Sequence, residues 1–185
     1  MLYILVAGMP GSGKSIVAEA ARELGLPVYT MGDVVREEAL KRYGVVSPEL
    51  MVSLSRELRS SYGDTIIAIK TIERIKGERE VVVIDGVRSL AEVEEFRKHG
   101  RVVIIAVHAS PETRFKRLLK RGRPGDPGSY KEFAERDRTE LEFGIGNVIA
   151  LADYMIVNES SIEEAKAKAL ELLRMLVKAH GESDS

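Results

Sequence analysis

The octapeptide Gly8-Met9-Pro10-Gly11-Ser12-Gly13-Lys14-Ser15 constrains this chain more than any other feature, because it fills every required position of G-x-x-x-x-G-K-[ST]. An apolar stretch, Leu2–Ala7, runs directly into it and a helix-period segment, Ile16–Leu24, leaves it. Strand, glycine-rich loop and helix in that order form the setting in which the motif has physical meaning. Gly8, Gly11 and Gly13 free the backbone to curl N–H groups, Ser12's among them, around phosphate oxygens. Lys14 brings a point charge to the β- and γ-phosphates, and the Ser15 hydroxyl suits Mg²⁺. ATP with Mg²⁺ is the expected ligand pair.

The pattern that follows the loop fixes the fold class. Short β-branched runs alternate with helical segments: Val28–Met31 then Val34–Tyr43, Val81–Ile84 then Leu90–His99, Val102–Val107 then Glu112–Lys120, Tyr154–Val157 then Ile162–Ala179. Five such strands predict a three-layer α/β/α fold around a five-stranded parallel sheet. At 185 residues the chain suits a single domain, 1–185, with two elaborations. One is a helical insertion over about 32–77; the other, over about 122–146, is rich in glycine, proline and charge. Insertions at strand ends are where such folds build substrate-covering parts, so the first is expected to bind an acceptor and the second to act as a lid. Gly181–Ser185 reads as a disordered tail.

Composition removes several chemistries. The absence of cysteine excludes disulfides and thiolate catalysis, and His99, His108 and His180 lack the spacing of a metal site. Glutamine is absent and only Asn147 and Asn158 represent asparagine, a depletion associated with heat-adapted proteins. No apolar run approaches a membrane span, and no secretory leader precedes the first strand, so a cytoplasmic location is expected. Net charge is −1, yet Arg114, Lys116, Arg117, Lys120, Arg121 and Arg123 cluster within ten residues that contain no acid. One helix of positive charge on a near-neutral chain favours a small anion over a long polyanion such as RNA.

Val81–Ile84 ends in Asp85, a buried strand closing on a carboxylate, which is where a P-loop protein places a ligand for the water shell of Mg²⁺. Further segments carry a resemblance. Gly32-Asp33-Val34-Val35-Arg36, Asp85-Gly86-Val87-Arg88 and Arg117-Leu118-Leu119-Lys120-Arg121 are similar to segments of the nucleoside monophosphate kinases, adenylate kinase and dephospho-coenzyme A kinase among them. The chain looks most like an archaeal group described as adenylate-kinase-related or dephospho-coenzyme-A-kinase-like.

That resemblance implies roles. Arg36 and Arg88 would grip the phosphate of a nucleotide-like acceptor, with Asp33 capping the helix that carries Arg36 and orienting the attacking oxygen. Met31 departs from the family's Ser or Thr, and Arg88 lacks the usual preceding proline. Glu92 stands roughly where adenylate kinase reads adenine with a glutamine; a carboxylate cannot donate to an unprotonated ring nitrogen, and Ser89-Leu90-Ala91-Glu92 is equally a capping box. Arg117 and Arg121, one helical turn apart, would neutralise charge on the transferring group, Phe115, Leu118 and Leu119 being free to face the core. Arg136 or Arg138 would join them, and Asn158 is a candidate beside the donor base. The reaction implied is transfer of the ATP γ-phosphoryl to that acceptor. Two other readings stay open: a larger acceptor such as dephospho-coenzyme A or a nucleic-acid end, and a slow ATP-hydrolysing switch with a macromolecular partner.

Overall fold

The near-continuous apolar run of β1 (Leu2–Ala7) is buried on both faces, with Leu2, Ile4 and Val6 directed to one side and Tyr3, Leu5 and Ala7 to the other. That burial puts β1 at the centre of the sheet. In the computed structural model, which describes residues 1–75 and 80–183, five strands lie in the order β2 (Val28–Thr30), β3 (Val81–Asp85), β1, β4 (Arg101–His108), β5 (Tyr154–Val157), all parallel.

Helices α1 (Ser15–Glu23) and α9 (Ile162–Ser183) cover the Ile4 face through Val17, Ala20, Ala21, Ala169 and Leu173. The Leu5 face carries α2 (Met31–Tyr43), α3 (Pro48–Tyr62), α4 (Ile66–Ile72), α5 (Leu90–Arg97) and α8 (Ile145–Ala150), anchored by residues such as Val35, Leu58, Ile67, Phe96 and Val148. Two apolar layers on one sheet give the α/β/α sandwich expected from the alternation. Helices α6 (Pro111–Arg121) and α7 (Tyr130–Glu142) meet through the rings of Phe115, Tyr130 and Phe133, with centroids 5.5–5.6 Å apart.

Local chemistry starts the helices. Ser47, Ser89, Ser110 and Ser129 each accept the N–H three residues on, and Pro48 and Pro111 occupy first turns where no N–H is needed.

Three local expectations change. Met31 opens α2 instead of ending β2, so Asp33 lies in the first turn rather than at the cap; the preceding Thr30 is extended. Leu119 is 51% exposed, and Arg114 takes the buried place on α6. Helix α9 runs on through Gly181 and Glu182 to Ser183, where Lys178 and Glu182 pair one turn apart at 3.7 Å; Asp184 and Ser185 lie outside the described residues. The 32–77 segment supplies α2, α3 and α4, while its far boundary at Gly77 also lies outside them.

The sheet positions the site by register. Val6 pairs with Asp85, and Asp85 with Thr30 on the other side. The exits of β1, β3 and β2 therefore lie side by side at the carboxyl end of the sheet, where α/β proteins open their crevice.

Candidate functional site

The loop between β1 and α1 is held from two sides. Gly11 and Gly13 have φ of +81° and +91°, and a Cβ at Gly8 would come 2.5 Å from the Val107 carbonyl oxygen. At these positions glycine is required by conformation and by room. Asn158, just past β5, is buried and donates its amide to the Ser12 carbonyl at 2.9 Å. From the other side Arg114, 4% exposed, donates to the Pro10 carbonyl at 3.1 Å and to the Ala109 carbonyl at 3.2 Å. Its charge is met by Asp137 of α7 through bonds of 2.8 and 2.5 Å, and the Phe133 ring lies under it at 4.9 Å.

Inside the loop, Lys14 donates to the Gly8 carbonyl at 2.6 Å. Burial lowers its pKa, opposed by the nearby carboxylates of Asp85 and Glu140. Burial likewise raises Asp85, with the Lys14 ammonium pulling the other way. Three enclosed polar atoms here, Ser12 Oγ, Asp85 Oδ1 and Arg117 Nη1, have no hydrogen-bond partner among the described residues. A buried polar group left unpaired costs about 1–3 kcal/mol, so the loop surroundings are built for a guest that supplies the missing partners.

A cleft of about 770 Å³ adjoins them, lined by Gly13, Lys14, Ser15, Asp85, Arg117 and Asn158 among others. Ser15 and Asp85 on its wall are hard oxygen donors of the kind Mg²⁺ takes, and the unpaired Asp85 oxygen fits that role. Asn158 reaches the cleft with its amide already committed to the loop and its oxygen 3.4 Å from Arg117 Nη2.

A second cavity of about 810 Å³ opens between α3 and α7, bordered by Met51, Arg56, Arg88, Arg121, Arg136 and Glu140 among others. It meets a smaller one of about 170 Å³ where Gly8, Gly11 and Lys14 face Arg88, Arg121, Arg136 and Glu140. Arg121 borders the cleft beside the phosphate loop and both of these. It makes a bidentate pair with Asp126 at 2.8 and 2.5 Å, and with the Arg123 N–H and Arg136 it holds Asp126 down at about 2. Arg136 borders the cavities and Arg138 is exposed.

The sequence-predicted acceptor residues separate. Arg88 stands in the cavities, its Nε 3.2 Å from Glu140. Arg36 does not join it: its side chain is 53% exposed and turned onto Asp33 one turn back. Glu92 is fully buried, one oxygen 2.6 Å from Arg59 Nη2 and the other accepting the Arg88 N–H at 2.8 Å, while its own N–H donates to Ser89. Of the two readings of Glu92, this geometry supports the cap over an exposed base reader. Sequence reasoning missed Arg59, Glu140, Phe143 and the structural part of Arg114. A buried Arg–Glu pair 33 residues apart leaves no local pattern to find.

The basic cluster of 114–123 also dissolves in three dimensions. Arg114, Lys116 and Arg121 pair with Asp137, Glu112 and Asp126, which leaves Arg117 and Lys120 on the wall of the cleft beside the phosphate loop and Arg123 on the larger cavity. Among the described residues no helix is long and apolar enough to cross a membrane.

Known proteins agree with this architecture. A structure titled TT1252 from Thermus thermophilus matches with a TM-score of 0.61 at 23% identity, covering 95% of this chain and 97% of that one. A shikimate kinase from Bacteroides thetaiotaomicron matches at 0.61 and 17% identity (94% and 98%), and a gluconokinase from Sinorhizobium meliloti at 0.58 and 17% (99% and 97%). Identities this low establish a shared P-loop kinase-like fold. In sequence, a family model described as an AAA domain matches residues 7–133. A UPF0200 protein of Staphylothermus marinus is 59% identical over 185 residues, covering all of this chain and 98% of the relative. Another from Hyperthermus butylicus is 57% identical over 176 residues, 95% of each. With a phosphate loop whose enclosed polar atoms await partners, and with identity at this level over its full length, the chain belongs to the UPF0200 family of P-loop proteins.

Proposed function

We propose that this protein transfers the γ-phosphoryl group of ATP to a small anionic, nucleotide-like acceptor. The observation that carries the reading is the set of unpaired polar atoms, Ser12 Oγ, Asp85 Oδ1 and Arg117 Nη1, around a complete phosphate loop. Lys14 and the loop N–H groups bind the triphosphate, and Ser15 and Asp85 would hold a Mg²⁺ ion, which would supply positive charge against the charge developing on it. Arg117 and Arg121 face the transferring group from α6, and Arg88 holds the acceptor's anion in line with it. Charge stabilisation and positioning do the work, without a covalent intermediate. The 122–146 segment, carrying Arg136, acts as the lid that keeps water out.

A second reading concerns acceptor size. A cavity of about 200 Å³ beside Lys14 and Arg88 suits a compact anionic head, and one structural neighbour is a shikimate kinase in complex with shikimate. Incubation with Mg-ATP against a panel of nucleoside monophosphates and shikimate, following ADP, tests both readings. Acceptor-dependent ADP formation is expected, and Arg88→Ala should lower it at least 100-fold while leaving ATP binding within twofold. ADP release indifferent to every acceptor contradicts phosphotransfer and favours a hydrolytic switch, while full acceptor-dependent activity in Arg88→Ala contradicts the role assigned to Arg88.

A further inference from the structure

Arg59 of α3 lines the cavity of about 200 Å³ together with Lys14, Ser55, Asp85 and Arg88. A volume of that size admits a phosphate or carboxylate group with few further atoms. It shares Arg88 with the larger cavity, which has room for the rest of an acceptor.

The two arginines are set by one carboxylate. Glu92, with no exposed surface, takes Arg59 Nη2 at 2.6 Å on one oxygen and the main-chain N–H of Arg88 at 2.8 Å on the other. Ser55 receives Arg59 Nη1 through its carbonyl at 3.1 Å and through its hydroxyl. A guanidinium carries five N–H donors in a plane, so donors remain on Arg59 for an oxyanion. Phe143, at the α7–α8 turn, backs both side chains: its ring centroid lies 4.9 Å from the Arg59 guanidinium carbon and 5.6 Å from that of Arg88.

We infer that Arg59 and Arg88 are the two jaws of an oxyanion clamp for the acceptor, and that Glu92 is the positioning residue that fixes their spacing. Arg36, on its exposed pair with Asp33, is not the second jaw. Two carboxylates face the clamp, Asp85 across from Lys14 and Glu140 on Arg88. A bound anion therefore trades places with Glu140 on the Arg88 guanidinium, and Glu92, already committed, stays. The planar fork of arginine matters on the Arg59 side, since one guanidinium must serve Glu92, Ser55 and the guest together.

Acceptor kinetics in this inference rest on the phosphotransfer reading; anion binding does not. The test titrates inorganic phosphate by calorimetry into protein saturated with Mg²⁺ and a non-hydrolysable ATP analogue. The wild-type protein should bind phosphate, with Arg59→Lys and Glu92→Gln each weakening it at least tenfold. The double variant should lose no more than threefold beyond the worse single one, because both variants break the same Arg59–Glu92 contact. Affinity for the nucleotide analogue should stay within twofold, and circular dichroism should show both variants folded. Where acceptor turnover is measurable, Glu92→Gln should raise the acceptor KM and leave the ATP KM unchanged. Absence of phosphate binding in the wild-type protein, or variants that bind it normally and differ only in melting temperature, overturns the clamp. Loss of nucleotide binding or of acceptor-dependent ADP formation by the wild-type protein would instead reject the phosphotransfer reading.

Discussion

Gly13 shows how tightly the phosphate loop is specified at the level of a residue. Its φ of +91° is one that side chains rarely adopt, and a Cβ there would overlap the Asn158 amide that holds the Ser12 carbonyl. Gly13→Ala is expected to weaken Mg-ATP binding at least tenfold by calorimetry. Gly25→Ala, with φ of +70° but open space around it, should cost about 1 kcal/mol in thermal unfolding and leave ATP affinity alone. Equal effects from the two would mean that the loop tolerates a side chain. The motif glycines, Lys14 and Ser15 were legible in sequence because backbone curvature and phosphate charge admit few residue types at fixed spacing. Asp85 was legible for a related reason, as a carboxylate closing a buried strand. Arg59 was not, nor was its pairing with Glu92, because that contact joins α3 to α5 across 33 residues and neither segment alone requires it; of Glu92 only the capping box was local.

At the scale of elements, α7 touches each part of the candidate site. Arg136 reaches Asp126 at 3.2 Å, Asp137 neutralises the Arg114 that braces Pro10, and Glu140 meets Arg88. These residues lie on neighbouring positions of one helix, so movement of α7 would alter the loop around Asp126, the phosphate loop and Arg88 together. Asp137→Ala strands Arg114 beneath the loop without a counter-charge, a change that costs about 3–5 kcal/mol for a buried pair. Urea unfolding should register that loss, and Mg-ATP affinity should fall with it. A stability change below about 1 kcal/mol would show that Arg114 does not depend on Asp137. Sequence reading placed α6 within one residue at each end, from its local apolar spacing, but named no helix within 122–146, where Ser129 caps α7. It misassigned Leu119 and Arg114 because α6 buries a charged residue that only a partner on another helix makes tolerable.

For the whole molecule, the order β2-β3-β1-β4-β5 brings residues 8–15, 30–33, 85–88 and 158 to one end of one sheet. Alternating buried runs made that sheet readable in advance, since a strand apolar on both faces has few other places to lie. Charge did not read as well. Half of the cluster at 114–123 is neutralised by carboxylates outside it, and three-dimensional pairing rather than local density decides what remains for a ligand. The account depends on the phosphate loop seating a metal-bound triphosphate. Titration calorimetry of Mg-ATP into the wild-type protein and Lys14→Ala tests that most directly. Saturable one-to-one binding by the parent, weakened at least 100-fold in the variant, is the predicted result. No heat from the parent, or equal affinity in the two proteins, would contradict it.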